Sequence, residues 1–184
     1  MNPVYLSEGF THEECDRIIE LESKLRIEES GIQRDLDRSG FRKSKHSWIH
    51  APGNEWMYEK MESIIMTINQ EFFKFEIDKC EHFQYTIYKE TGDHYNWHYD
   101  SDQLPGNYLR KLSVSVQLSD PSEYEGCELE IHNAQLFSFP NNKGDVIIFP
   151  SSLLHRVTPL ISGVRRSLVV WAVGPQRKQE DLFQ

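Results

Sequence analysis

Residues 111–119 read KLSVSVQLS. Leu112, Val114, Val116 and Leu118 alternate with Ser113, Ser115 and Gln117. A period of two puts each set on its own face of an extended strand, whereas a helix would scatter both sets around its axis. The apolar face has to pack against something. The polar face belongs to a segment flanked by others that also read as central strands, so it is read as the lining of a cavity rather than as wetted surface.

The same alternation continues on either side. HFQYTIYKE (82–90), YNWHYD (95–100), CELEIH (127–132), LFSF (136–139), GDVIIFP (144–150), HRVTP (155–159) and RSLVVWAV (166–173) read as strands. ETGD, SDQLPGN, DPSEYEG, PNNKG, PSS and LISG separate them as turns. Upstream the period lengthens. Thr11 and Glu14 form a capping-box pair ahead of Ile18, Ile19, Leu21 and Leu25. Glu28 to Arg38 reads as a polar loop. Asn54 is placed to cap a second helix whose apolar face carries Trp56, Met57, Met61, Ile64, Ile65, Ile68 and Phe72. The expected fold is mainly β with flanking helices: a jelly roll with an N-terminal α-helical buttress. One domain is expected over residues 1–184, with 1–75 mainly helical, 76–175 the β core and 176–184 a polar tail.

A chain of 184 residues can bury a sizeable single core. Acidic residues outnumber basic ones, 29 to 20, for a net charge of −9. That balance disfavours a nucleic-acid partner. The one dense basic run, RKSK at 42–45, reads as a solvated edge. No apolar run is long enough to span a bilayer. MNPVYLSEGFTHEEC has neither the basic nor the apolar part of a signal peptide, so a cytoplasmic location is expected. Cys15, Cys80 and Cys127 form no CxxC pair and read as reduced thiols rather than a zinc site. The pattern carries no reading of oligomeric state.

His98 and Asp100 stand two apart in YNWHYD. On a strand their Cα atoms lie about 6.6 Å apart on one face, close enough to share a metal ion. Tyr95, Trp97 and Tyr99 then take the opposite face and pack into core. Such a pair is common by chance, so a third ligand from a distant strand is required. His155, after the buried-looking strand GDVIIFP and a turn, is the best candidate. Two histidines and a carboxylate form the facial triad of non-haem Fe(II) oxygenases, with three positions open. His94 shares the parity, but its Cα lies about 13 Å from that of His98 on an extended strand. His132 reads as a rim residue, and His12, His46, His50 and His82 show no ligand pattern. The open positions suit a bidentate 2-oxoacid whose far carboxylate needs a guanidinium. Arg165 and Arg166 both qualify, because both faces of the following strand are apolar.

His98-Tyr99-Asp100, His155 and Arg165 resemble the site of 2-oxoglutarate/Fe(II)-dependent dioxygenases, in the prolyl 4-hydroxylase-like branch with its PKHD-type members. LSVSVQLSDPSEYEGCELEI and FPSSLLHRVTPLISGVRRSLVVWAV resemble that branch nearly throughout, FTHEECDRIIEL resembles its leading helix, and FRKSKHSWI the strand at its entrance. The resemblance implies a double-stranded β-helix with Fe(II) on His98, Asp100 and His155. It selects Arg165 over Arg166 for 2-oxoglutarate, adds Tyr88, and places Ser115 and Gln117 in the cosubstrate pocket. It puts Trp171 near the distal ligand, among the candidate substrate contacts with Arg42, Trp48 and Trp97. The implied reaction consumes O2 and 2-oxoglutarate, with ascorbate as reductant, and hydroxylates a C–H bond, most directly of a prolyl residue in a peptide or protein. A free amino acid or other small molecule is the alternative substrate, and a non-enzymatic jelly roll that senses a metal or 2-oxoacid is the alternative function. Asp100 favours hydroxylation, since halogenases of this kind have Gly or Ala there. Two departures stand out: Gly126-Cys127 replaces a common Gly-Gly, and Arg165 replaces the lysine of collagen-type members.

Overall fold

The computed structural model describes residues 1–30 and 40–176. In chain order the strands are β1 (Val4–Leu6), β2 (Glu28–Glu29), β3 (Arg42–Lys43), β4 (Lys45–Ile49), β5 (Lys79–Cys80), β6 (Phe83–Tyr88), β7 (His94–His98), β8 (Gln103–Leu104), β9 (Tyr108–Gln117), β10 (Tyr124–Gly126), β11 (Leu129–Asn133), β12 (Gln135–Ser138), β13 (Val146–Pro150), β14 (Leu154–Val157), β15 (Leu160–Gly163) and β16 (Arg165–Pro175). The larger sheet runs β1-β13-β9-β16-β6-β4-β2, with β5 beside β16 and β8 beside β9. The smaller runs β12-β11-β14-β7-β3, and β10-β15 form a separate ribbon. All pairings are antiparallel. This is the jelly roll that the alternation predicts.

The two faces of β9 meet different surroundings. Leu112, Val114, Val116 and Leu118 are fully buried against Phe10, against Cys15 and Ile18 of α1 (His12–Glu20), and against Met57, Met61 and Ile65 of α2 (Glu55–Ile68). Each such side chain contributes about 1.5–3 kcal/mol by leaving water. A second cluster, including Tyr88, Leu129, Ile131, Phe149 and Val157, fills the space between the sheets. The polar face of β9 points toward that space. No helix of the described residues is long and apolar enough to cross a membrane.

The capping box of α1 is present: Glu14 N–H donates to Thr11 Oγ1, and Thr11 N–H to Glu14 Oε2 at 2.8 Å. At α2 Asn54 holds the cap position without capping, because its side chain donates instead to the His50 carbonyl. After Ile68 the helix widens into one π turn, Asn69–Phe73. The wider turn rotates the apolar face, so Phe73 is buried and Phe72, predicted inside, is exposed. The N-terminal part adds β1 to β4 to its helices, and the predicted polar loop begins as β2. Residues 31–38 of that loop, residue 39 after it and tail residues 177–184 lie outside the described residues. Two predicted turns, DPSEYEG and LISG, instead supply β10 and β15. Gly126 and Gly163 have φ of +77° and +81°, and a β-carbon on them would collide with the backbone oxygens of Pro159 and Glu123. The close approach of the two segments therefore needs glycine at both positions.

Candidate active site

A cavity of about 190 Å³ opens between the sheets. His98 ends β7 directly opposite His155 of β14. Between them and the Tyr95–Val157 pair, β7 holds one residue more than β14. This bulge breaks the predicted parity. Tyr95 stays on the face of His98, its ring stacked on the imidazole at 3.5 Å, and lines the cavity rather than a core on the opposite face. Tyr99 is 59% exposed. Trp97 lies under the Arg156 guanidinium at 4.7 Å and does not line the cavity. Asp100 lies beyond the strand end, turned inward as its N–H donates to the Ser151 carbonyl. The ligand pair thus comes from a strand end and a loop, not from one regular strand.

His98, Asp100 and His155 each bring a ligand atom within 4.8 Å of the other two. It is the one such cluster among the described residues. Nδ1 of His98 donates to the Asn96 carbonyl at 2.6 Å, and Nδ1 of His155 to the Leu153 carbonyl at 2.9 Å. A carbonyl only accepts, so Nδ1 carries the proton and Nε2 of each neutral ring offers a lone pair inward. Asp100 Oδ2 accepts from Ser113 Oγ and Trp171 Nε1, both at 2.8 Å. Oδ1 is left as its open donor atom. Two imidazole nitrogens and one carboxylate oxygen suit a divalent iron, and three ligands leave coordination positions open.

Burial alone would raise the Asp100 pKa, but the two imidazoles and the Trp171 N–H hold it well below the usual carboxylate range. Burial, then the neighbouring His155, pushes His98 down to about 4. Burial also opposes charge on His155, yet Asp100 at 3.3 Å outweighs it and raises that pKa.

At the other end Arg165, first in β16 and opposite Tyr88 of β6, is 3% exposed. Its Nε donates to Gln117 Oε1 at 3.0 Å, and among the described residues no carboxylate pairs with it. Arg166 points outward to Glu22, at 2.6 Å. The outer carboxylate thus separates two arginines that parity could not. Ser115 lines the cavity, and Tyr88 stands with its ring 5.7 Å from the Arg165 guanidinium carbon.

The mouth carries Arg42, Trp48, Tyr99, Asp102, Arg110 and Trp171. Arg42 donates to Ser44 and Gln84 and lies over Tyr95 at 4.6 Å. Trp48 packs at a tilt on Trp171, 6.2 Å away. The Trp171 indole, expected among substrate contacts, also holds the Asp100 carboxylate. Arg110, unassigned from the sequence, forks onto Glu81 and covers Trp171 at 3.8 Å. Ser113 belongs to the polar face already legible in β9; nothing local to the sequence marked Arg110 or Ser151.

Residues 83–173 match the model of the 2OG-Fe(II) oxygenase superfamily. The chain belongs to that superfamily. Its match begins at β6 and ends in β16, so it takes in all three candidate ligands and Arg165. A PKHD-type hydroxylase of Synechococcus sp. (strain CC9902) is 39% identical over 95 residues, 50% of this chain and 41% of that protein. One from Janthinobacterium sp. (strain Marseille) is 37% identical over 90 residues, 45% of this chain and 39% of its own. The oxygenase chain thus matches less than half the length of these curated relatives. Among solved structures, a Pseudomonas putida prolyl-4-hydroxylase superposes with a TM-score of 0.73 at 17% identity, covering 96% of this chain and 93% of that one. A Trichoplax adhaerens prolyl hydroxylase, solved with a hypoxia inducible factor peptide fragment, gives 0.75 at 15% identity, covering 92% and 82%. At these identities they establish the fold. The superfamily's metal and cosubstrate, Fe(II) and 2-oxoglutarate, agree with the donor set and with the cation buried at the far end of the cavity.

Proposed function

We propose that this oxygenase couples oxidative decarboxylation of 2-oxoglutarate to hydroxylation of a C–H bond, most directly of a prolyl residue in a peptide or protein. The observation that carries the reading is one cavity with a three-ligand metal cluster and a buried guanidinium that has no carboxylate partner among the described residues. An uncompensated buried guanidinium costs several kcal/mol, and a dicarboxylate would relieve it. His98, Asp100 and His155 would hold Fe(II), which when bound activates O2 so that 2-oxoglutarate yields succinate and CO2 and the substrate gains one oxygen atom. Arg165, positioned by Gln117 and flanked by Tyr88 and Ser115, would bind the far carboxylate and so orient the keto acid toward the metal. Trp171 and Ser113 hold Asp100 by one oxygen, leaving the other for the ion.

The cavity is smaller than the ~300–1,000 Å³ of drug-sized ligand sites. With the cosubstrate inside, only the reacting part of a substrate fits, and the rest lies across the mouth at Arg42, Trp48 and Trp171. That favours a side chain presented by a longer peptide, as does the peptide bound to the Trichoplax relative. The test is incubation with Fe(II), 2-oxoglutarate, ascorbate and proline peptides, followed by mass spectrometry for a 16 Da gain and assay of succinate. Hydroxylation of free amino acids alone would replace the peptide reading. No succinate from any mixture would leave a sensor of metal or 2-oxoacid.

A further inference from the structure

His50 and His82 show no ligand spacing in the sequence, yet the fold brings them together. β4 and β6 run antiparallel, and their last pair is Ile49 opposite Phe83. His50 follows Ile49 and His82 precedes Phe83, so the two are the next residues in that register. Their rings meet edge-on with centroids 4.4 Å apart. The two candidate iron ligands, His98 and His155, stand much the same, at 4.1 Å. Facing positions on neighbouring strands hold their β-carbons about 4.5–5.5 Å apart, a separation that two imidazoles sharing an ion can span.

One of the two rings is already oriented. The Tyr58 hydroxyl, on α2, has a single hydrogen and gives it to the Ile49 carbonyl at 2.7 Å. Toward His82 Nδ1, at 3.3 Å, it therefore accepts, and Nδ1 carries the proton. Nε2 of the neutral ring keeps its lone pair, as in metal-binding histidines whose other nitrogen is held by a partner. Among the described residues no hydrogen bond takes His82 Nε2 or the His50 ring, and both side chains are exposed, so both can turn toward a common ion. They line a groove with Trp48, Lys79, Cys80 and Glu81. Glu81 is engaged by Arg110, and burial pushes the Cys80 thiol up to about 12, which keeps it protonated. No third ligand atom joins the two imidazoles within 4.8 Å among the described residues, so water would complete the shell. Imidazole donors suit zinc, copper and nickel. Trp48 lines both this groove and the mouth of the cavity, whereas neither histidine lines the cavity.

We propose that His50 and His82 form a second metal site, for a divalent transition ion of the zinc class, in the groove beside Trp48 and separate from the His98–Asp100–His155 cluster. The test is titration of the untagged, metal-free protein with Zn2+ by calorimetry. Wild type should take up two ions. His50→Gln and His82→Gln should each lose the second ion or bind it at least about tenfold more weakly, since even the loss of a partner that only supports a ligand costs that much. The double variant His98→Gln, His155→Gln should keep one ion, and zinc should then shift the imidazole proton resonances of His50 and His82. Cys80→Ser should keep both ions. A single ion in wild type, a second ion bound undiminished in either His50→Gln or His82→Gln, or its loss in Cys80→Ser overturns the proposal. Should the double variant fail to fold, the comparison of wild type with His50→Gln and His82→Gln decides alone, because both of those side chains are exposed.

Discussion

Arg165→Met separates the stability of the protein from its affinity for cosubstrate, with opposite expectations for the two. In the metal-free, ligand-free fold the guanidinium is 3% exposed and bonded through Nε to Gln117, with no carboxylate partner among the described residues. Removing it forfeits that bond, about 1.5–3 kcal/mol, and relieves a desolvation penalty of several kcal/mol. The unliganded melting temperature should therefore hold or rise. Binding should respond oppositely, because a carboxylate left without its buried partner costs about 2–5 kcal/mol, or roughly 30-fold to a few thousand-fold in Kd. At 2-oxoglutarate equal to 100 times the wild-type Kd, linkage stabilises the manganese-loaded wild type by about 2.7 kcal/mol. A 30-fold weaker variant gains only about 0.9 kcal/mol at the same concentration. At ~2–4 °C per kcal/mol for a chain of this size, the shifts are roughly 5–11 °C and 2–4 °C. Differential scanning fluorimetry reads both. An equal ligand-induced shift in wild type and variant would refute the anchoring role. An unliganded variant destabilised by more than about 4 kcal/mol would refute the claim that the cation is poorly compensated.

Trp171→Phe keeps an aromatic ring over the mouth and deletes the N–H that holds Asp100; manganese affinity should fall about 10- to 100-fold by titration calorimetry, with Ser113 retaining part of the hold. Metal binding should also depend on pH in a defined sense. His155, its pKa raised by Asp100 in the metal-free fold, must lose its proton to ligate, so affinity should increase with pH up to that elevated pKa and then level off. His98, already neutral above about 4, should add nothing in that window, and a pH-independent affinity across it would contradict the Asp100–His155 pairing. Gly163→Ala forces a β-carbon into the Glu123 oxygen at a φ of +81° and should cost at least ~1–2 kcal/mol, read as a lower melting temperature together with weaker 2-oxoglutarate binding.

Much of this protein is written locally. The alternation of Leu112 to Leu118 with Ser113 to Gln117 determines a strand, the face that meets the helices and the face that meets the cavity, because side-chain direction follows from chain geometry alone. The Thr11–Glu14 cap is legible for the same reason. His98, Asp100 and His155 could be nominated from residue type and approximate spacing. What tertiary structure decided depends on contacts between distant segments. A one-residue bulge against β14 put Tyr95 on the ligand face, and Ser151 turned Asp100 inward after its strand had ended. Glu22, more than a hundred residues upstream, drew Arg166 outward and left Arg165 to the cavity. Trp171 became a holder of Asp100, and two segments of turn-like composition closed into the ribbon behind Arg165. Periodicity states which way a side chain points; only packing states what it meets there, and chemistry needs both.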